Sequence, residues 1–275
     1  MNKVGKKFVY YLSSLVPSLI VKFAYAKLTS PQVSKLRPHE LEVLDQAKQS
    51  DLDFKGFTIR LYEWAGGGDQ SVLLVHGWEG QAGNFADLVE KLLAANYTVY
   101  AFDGPSHGFS SKGSASLFEF TELVGLMVEK FQVDKIVSHS FGGVATTFAL
   151  FQHQSYHISR YALLTTPNRF TERIDQVAKI VGIAPIAVRM LTEKIERAYD
   201  IKADDLNVSD FVKEIKVDKA LIIHDRDDKI IPISQSRAVA QGWEVCTHEE
   251  ITGTGHFRIL RTESVLDRVV TFLES

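Results

Sequence analysis

The chain has 275 residues, of which 45% are hydrophobic and 24% are charged. This composition is typical of a folded globular protein and excludes a fibrous repeat, a disordered chain and a multi-span membrane protein. The net charge of −3 gives no overall basic excess, so we expect no nucleic-acid partner. A single cysteine, Cys246, excludes an internal disulfide and a zinc site built from cysteines.

The first 39 residues differ from the rest because they contain seven lysines and arginines and no acidic residue. Residues 8–21 form an apolar stretch of 14 residues, too short to span a bilayer, which takes about 20. Three interpretations are open. We favour a packed helix in a cytoplasmic protein; the alternatives are a peripheral membrane contact through residues 1–28, or a secretory signal ending at Ala24-Tyr25-Ala26 in an exported protein.

From residue 57 onward, apolar runs typical of strands alternate with amphipathic helical patterns. Repeated strand–helix units predict an α/β fold with a mostly parallel sheet flanked by helices. The predicted strands are 57–64, 71–76, 97–102, 135–138, 158–165, 219–224 and 243–251, and the predicted helices are 85–92, 117–131, 141–151 and 263–273.

One segment interrupts this alternation, because residues 167–215 contain helical patterns and no convincing strand. We therefore expect a helical cap insertion at 167–215. The α/β core then covers 55–166 and 216–275, and a basic helical extension covers 1–54.

Ser140 is the candidate nucleophile. It lies in SHSFGG (138–143), directly after an apolar strand and before a helix of small residues, as in a nucleophile elbow. Gly142 and Gly143 provide the small residues that so tight a turn needs, whereas Ser138 takes the place of the usual glycine on the strand side. Because a serine hydroxyl is a weak nucleophile, it needs a general base and an acid that orients that base.

Two later loops supply these groups. Asp228 lies in HDRDDKIIP (224–232) after one strand, and His256 lies in TGTGHF (252–257) after another. The carboxyl ends of parallel strands meet at one edge of a sheet, so we expect both side chains near Ser140. The order Ser, Asp, His along the chain is that of the α/β-hydrolase arrangement.

From about residue 55 onward the chain resembles the α/β-hydrolase superfamily, through HGWEG (76–80), DGPSHGFS (103–110), SHSFGG, HDRDDKIIP and GTGHFRIL (253–260). It is most similar to bacterial esterase- and lipase-like members with a basic N-terminal extension. The family's acid lies four residues after the loop histidine, which selects Asp228 and leaves Asp227 as the alternative. The resemblance also implies an oxyanion hole made by the backbone N–H groups of Trp78 and Phe141, with Gly77 allowing a close turn.

The resemblance implies a serine carboxylesterase that acts on a small-molecule ester of short or medium chain. Alternatives with the same triad are a thioesterase, a lactonase, a C–C bond hydrolase and a membrane-associated lipase; a non-catalytic ligand-binding module is a further one. We expect no cofactor and no metal, because the nine histidines show no HExxH-type spacing. The sequence leaves the oligomeric state open. His76, His139 and His224 are expected to bond within the scaffold.

Overall fold

Eight strands form one sheet in the computed structural model, which describes residues 3–275 and the side chains from residue 5 onward. The strands are β1 (Lys48–Phe54), β2 (Phe57–Trp64), β3 (Ser71–Val75), β4 (Thr98–Phe102), β5 (Lys135–His139), β6 (Ile158–Leu164), β7 (Val217–Asp225) and β8 (Cys246–Ile251). Their order across the sheet is β1-β2-β4-β3-β5-β6-β7-β8. Neighbours from β4 to β8 pair in parallel, whereas β1 with β2 and β2 with β4 pair antiparallel.

Twelve α-helices occur in the described residues. They are α1 (Lys3–Leu15), α2 (Pro17–Leu28), α3 (Pro38–Asp45), α4 (Ala86–Ala94), α5 (Leu117–Phe131), α6 (Phe141–Gln152), α7 (Phe170–Val181), α8 (Pro185–Tyr199), α9 (Val208–Phe211), α10 (Ile233–Gln241), α11 (Gly255–Arg258) and α12 (Glu263–Glu274).

The chain divides into two compact units. The sheet unit consists of Pro31–Asn168 and Val208–Ser275, and the helical unit consists of residues 3–30 with Arg169–Asn207. In the sheet unit, β3 reads SVLLV and buries its last four residues, as expected of a strand covered on both faces. The ends of β3, β5, β7 and β8 point the same way, so the loops that follow them lie at one edge of the sheet.

The helical unit contains α1, α2, α7 and α8. The backbone N–H of Ala184 donates a 2.8 Å hydrogen bond to Ser13 Oγ, and the ammonium of Lys194 lies 4.2 Å from the ring centre of Tyr25. These contacts fix the first two helices on α8 and on the turn before it. No single helix of the described residues is long and apolar enough to cross a membrane, and the one pair that meets this criterion jointly, Gly5–Leu15 with Pro17–Leu28, is bent by 117°.

Candidate active site

Ser140 stands at the sharp turn between β5 and α6, with φ of +52° and ψ of −122°. A positive φ is uncommon outside glycine and holds the backbone in a strained conformation, as a nucleophile elbow requires. A Cβ on Gly142 would lie 2.5 Å from the carbonyl oxygens of Val75 and His76, and one on Gly143 would overlap Thr166 Oγ1. Both glycines are therefore required by the packing of α6 against its neighbours.

The serine that replaces the usual glycine before the elbow is accommodated by a hydrogen bond. Ser138 is fully buried, and its Oγ donates to the hydroxyl of Tyr161 at 3.1 Å. That hydroxyl in turn donates to the carbonyl oxygen of Gly143 at 3.1 Å. Burial raises the pKa of Tyr161 to about 12, so the phenol keeps its proton and this link between β5, β6 and α6 persists.

The predicted acid and base lie side by side. Nδ1 of His256 is 2.8 Å from Oδ2 of Asp228, and both residues are 7% exposed. The other carboxylate oxygen of Asp228 accepts the N–H groups of Ile230 at 2.7 Å and Ile231 at 3.0 Å. Asp227, the alternative acid, is exposed, so the structure pairs His256 with Asp228.

The carboxyl of Asp228 is held ionised although it is buried. Burial disfavours the charged form, but hydrogen bonds from His224, His256 and the backbone N–H of Ile231 outweigh it and hold the pKa of Asp228 well below its ordinary value. Nε2 of His224 is 3.5 Å from Oδ2 of Asp228 and 3.0 Å from the carbonyl oxygen of Ile231. A second histidine thus contacts the acid from within the scaffold.

The loop that carries His256 is fixed by Asp225, a residue that the sequence analysis did not select. One carboxylate oxygen of Asp225 accepts the backbone N–H and the hydroxyl of Thr254 and, at 2.7 Å, the N–H of Gly255. Asp225 is fully buried, and these bonds, with one from the N–H of Asp227, overcome the burial and lower the pKa of Asp225. In the HDRDDKIIP motif, Asp225 directly follows the histidine, where the α/β-hydrolases that the sequence resembles commonly have a glycine, and this was the only sequence indication of its role.

His139 connects the base to the elbow. Its Nε2 donates to the carbonyl oxygen of His256 at 2.9 Å, and the two imidazole rings are 4.9 Å apart. Burial, with a smaller effect of the nearby His256, lowers the pKa of His139 to about 3, so this imidazole is neutral at physiological pH. The residue that precedes Ser140 therefore holds the His256 loop beside the elbow.

The loop after β3 packs closely against the elbow at Ser140. A Cβ on Gly77 would lie 3.2 Å from Cβ of Ser140 and 3.1 Å from the carbonyl oxygen of His139, so only a glycine allows this approach without a shift. Phe141 is the first residue of α6, and its N–H has no partner within the helix. In the described part of the chain, no hydrogen bond uses the N–H of Trp78.

A buried network holds the Trp78 loop in place. Oδ1 of Asp103 accepts the N–H of Ala82 at 2.8 Å, and Nε2 of His107 accepts the N–H of Glu79 at 3.2 Å. Nε2 of His76 accepts the N–H of Gly104 at 2.9 Å. These bonds fix the backbone on both sides of Trp78, which is the condition for a rigid donor at that position.

Aromatic side chains surround the two candidate donors. The ring of Trp78 is 5.1 Å from that of Phe141 and 4.9 Å from that of His107, and Phe120 is 5.3 Å from Phe141. The two candidate donors are therefore flanked by aromatic side chains. Over the described residues, no group of three or more His, Cys, Asp or Glu is placed to hold a metal ion.

Residues 72–269 match the family model of the alpha/beta hydrolases. The chain belongs to the α/β-hydrolase family. This match covers the strands and loops that bring Ser140, Asp228 and His256 to one edge of the sheet.

Two curated relatives share part of this α/β-hydrolase. This chain is 35% identical over 95 residues to the dihydrolipoyllysine-residue acetyltransferase component of an acetoin cleaving system from Cupriavidus necator. The alignment covers 33% of this chain and 25% of that protein. It is 26% identical over 145 residues to the pimeloyl-[acyl-carrier protein] methyl ester esterase of Vibrio cholerae, covering 52% of this chain and 54% of that enzyme. The chain thus spans a quarter to a half of these relatives.

A solved structure with the same fold is that of a lipase from Acinetobacter baumannii, described as putative. The TM-score is 0.65 at 16% identity, and the alignment covers 88% of this chain and 97% of that one. At this identity the likeness shows the fold alone.

Proposed function

We propose that this α/β-hydrolase is a serine hydrolase that cleaves carboxylic esters through an acyl-enzyme on Ser140. The observation that carries the proposal is the buried 2.8 Å contact between Asp228 and His256. His139, which directly precedes the strained Ser140, bonds the carbonyl oxygen of His256 and so holds this pair beside the elbow. A serine at a sharp turn, an acid and a base, in this order along the chain, are the components of a nucleophilic triad.

In the proposed mechanism, Asp228 fixes the tautomer of the base. Because Nδ1–H of His256 donates to Asp228, Nε2 is the nitrogen left to accept the proton of Ser140 as its Oγ attacks the ester carbonyl. The same imidazole, now cationic, returns that proton to the leaving alcohol. A water molecule, deprotonated by His256, then attacks the acyl carbonyl. The bond to Ser140 Oγ breaks, His256 returns the proton to that oxygen, and the carboxylic acid is released.

The backbone N–H groups of Trp78 and Phe141 are the proposed oxyanion hole. Each such donor is typically worth a factor of about 10²–10³ in kcat, because it stabilises charge that develops only in the transition state. The rigid loop around Trp78 and the position of Phe141 at the start of α6 support this assignment.

An ester with an apolar acyl group is supported by two observations. The rings of Trp78 and Phe141 flank the candidate donors with apolar surface, and one curated relative is named as a methyl ester esterase. Thioesters, lactones and C–C substrates share the triad chemistry. A panel of acyl esters and matching thioesters of increasing chain length decides between the ester and the thioester.

The test of the nucleophile is Ser140→Ala, assayed on p-nitrophenyl butyrate and with a fluorophosphonate probe. We expect kcat to fall by at least about 10³-fold and labelling to disappear, because no other group forms the acyl-enzyme. The matched control is Ser138→Ala, which removes a buried serine two residues away and should keep kcat within about tenfold. Hydrolysis that survives in Ser140→Ala would contradict the triad, and a wild-type chain that neither turns over nor labels would indicate a binding module.

A further inference from the structure

The first two helices expose several large apolar side chains. Phe8, Tyr11, Leu15, Leu19 and Phe23, here called the apolar ridge, are between 63% and 80% exposed. Monomeric proteins rarely leave several large apolar side chains together in water, and such a patch marks an interaction surface.

The ridge is the outer face of each helix, because the opposite face is used for packing. At 100° per residue, Phe8, Tyr11 and Leu15 share one side of α1, whereas Ser13, on the other side, is fully buried and bonds Ala184. On α2 the buried residue is Val21, and Leu19 and Phe23 project away from it. Each helix is thus packed through one side and exposes the apolar ridge on the other.

The charge beside the ridge is of one sign. Lys7, Lys22 and Lys27 are exposed on the same two helices, and the first acidic residue of the chain is Glu40. The whole chain nevertheless has a net charge of −3, so this segment differs from the rest in carrying cations without any acidic residue. Lysines that flank exposed aromatic and aliphatic side chains are the pattern of a segment that lies in the interface of an anionic bilayer.

We propose that α1 and α2 form a docking surface for an anionic lipid bilayer. The ridge enters the boundary between headgroups and acyl chains, and the lysines contact the headgroup phosphates. Binding through a second copy of the chain is disfavoured, because a two-fold contact of this face would set lysines against lysines. A helix of 13 residues is about 20 Å long, shorter than the hydrocarbon core of about 30 Å, so it fits a position in the interface plane.

This proposal goes beyond ester hydrolysis and does not depend on it. The full chain is mixed with large unilamellar vesicles of phosphatidylcholine alone or with 30% phosphatidylglycerol, and bound protein is measured by flotation. We expect binding to the anionic vesicles at least tenfold tighter than to the neutral ones, and weaker binding at 0.5 M NaCl because salt screens the lysines. Ser140→Ala should bind as the wild type does, which separates docking from catalysis.

Two triple variants test the two parts of the surface. Phe8→Ser, Leu15→Ser and Phe23→Ser together should reduce binding to anionic vesicles more than tenfold, since these side chains supply the buried apolar area. Lys7→Gln, Lys22→Gln and Lys27→Gln together should reduce it about 10²-fold and weaken the preference for phosphatidylglycerol. The matched control replaces the exposed Lys130, Lys216 and Lys219 by Gln, with the same loss of charge elsewhere on the chain, and should bind as the wild type does.

Circular dichroism and thermal unfolding verify that each variant is folded. Equal binding by the ridge variant and the wild type, or no binding by the wild type, would overturn the proposal. A concentration-dependent dimer that only the ridge variant abolishes would assign the face to a second copy instead. Resistance of bound protein to alkaline carbonate extraction would also overturn it, by indicating insertion across the bilayer.

Discussion

Asp225 shows how one buried side chain can set the position of another that lies 31 residues away along the chain. Its carboxylate holds the N–H groups of Thr254 and Gly255, the two residues that precede His256. Because these bonds restrain the backbone directly before the imidazole, they preserve the geometry of the Asp228–His256 contact. Asp225 is therefore a positioning residue in the proposed mechanism.

We predict that Asp225→Ala lowers kcat on p-nitrophenyl butyrate by about 10–100-fold with little change in KM, because His256 loses its alignment while the binding surface stays intact. Buried donors left without an acceptor should also cost about 1–3 kcal/mol in the free energy of unfolding. Kinetics at a temperature where both proteins are folded measure the first effect, and urea unfolding measures the second.

Two further variants make this prediction specific. Asp225→Asn keeps an acceptor oxygen in nearly the same place and should recover most of the lost kcat. Asp227→Ala removes an exposed carboxylate from the same loop and should leave kcat within a factor of two to three. If Asp225→Ala is as active as the wild type, the loop is held by other contacts and the positioning role is wrong.

The sequence predicts the candidate catalytic residues but not the hydrogen bonds that hold them in position. Ser140, Asp228 and His256 follow from their order and from the strands before them, and the structure brings Asp228 and His256 together. The role of Asp225 and the bond from His139 to the carbonyl oxygen of His256 could not be predicted. The bonds of Asp225 to Thr254 and Gly255 join residues 29 and 30 positions apart, that of His139 joins residues 117 apart, and all depend on loop conformation. A sequence pattern contains residue types and spacing, but not the course of a loop backbone.

Among the elements, the strands β3 to β7 were predictable because each is a short apolar run between turn residues. Strand β1 was missed, since KQSDLDF is polar and mostly exposed and its pairing with β2 uses cross-strand ion pairs such as Lys48 with Glu63. The strand predicted over 243–251 begins only at Cys246, because α10 ends at Gln241 and the chain turns before pairing with β7. Exposed edge strands and element ends carry the weakest hydrophobic pattern.

The position of the first turn of α6 depends on Gly142 having no side chain. Gly142→Ala places a methyl group 2.5 Å from two backbone carbonyl oxygens of β3 and its loop, atoms that cannot move alone. We predict a loss of about 2–3 kcal/mol in the free energy of unfolding and a fall in kcat, because α6 and the N–H of Phe141 shift together. Chemical unfolding and ester kinetics measure both effects.

The control is Gly125, another buried helical glycine, whose nearest neighbour is a side chain that can move. A Cβ on Gly125 in α5 would lie 3.3 Å from the imidazole of His153, an exposed side chain, and at an ordinary contact distance of 3.9 Å from the ring of Tyr156. Gly125→Ala should therefore raise the free energy of unfolding by up to about 1 kcal/mol through helix propensity, with unchanged kcat. A Gly142→Ala protein as stable as the wild type would show that α6 tolerates displacement.

For the molecule as a whole, three buried histidines couple stability to pH. Burial lowers the pKa of His76 and lowers those of His107 and His139 to about 2 and about 3, whereas an unfolded histidine titrates near 6.5. His76 and His107 each use one ring nitrogen as an acceptor for a backbone N–H, a bond that protonation would break. Below about pH 6.5 the unfolded chain therefore binds more protons than the folded one, and acid favours unfolding.

We predict that the free energy of unfolding falls between pH 7.5 and pH 5.5, by up to about 1.4 kcal/mol per pH unit for each such histidine once the pH is below 6.5. This window lies above the range in which carboxylates titrate, so it isolates the histidines. His107→Gln should be less stable at pH 7.5, yet its stability should depend less steeply on pH, since one titrating group is gone. Urea unfolding at intervals of half a pH unit measures both quantities.

Ser110→Ala is the matched control, because Ser110 is buried in the same loop, bonds the carbonyl oxygen of Asp103 and does not titrate. It should lower the free energy of unfolding by a similar amount at every pH and keep the wild-type slope. A His107→Gln protein with the wild-type slope would mean that His107 does not stay neutral in the folded state, and the pH dependence would then have to come from other groups.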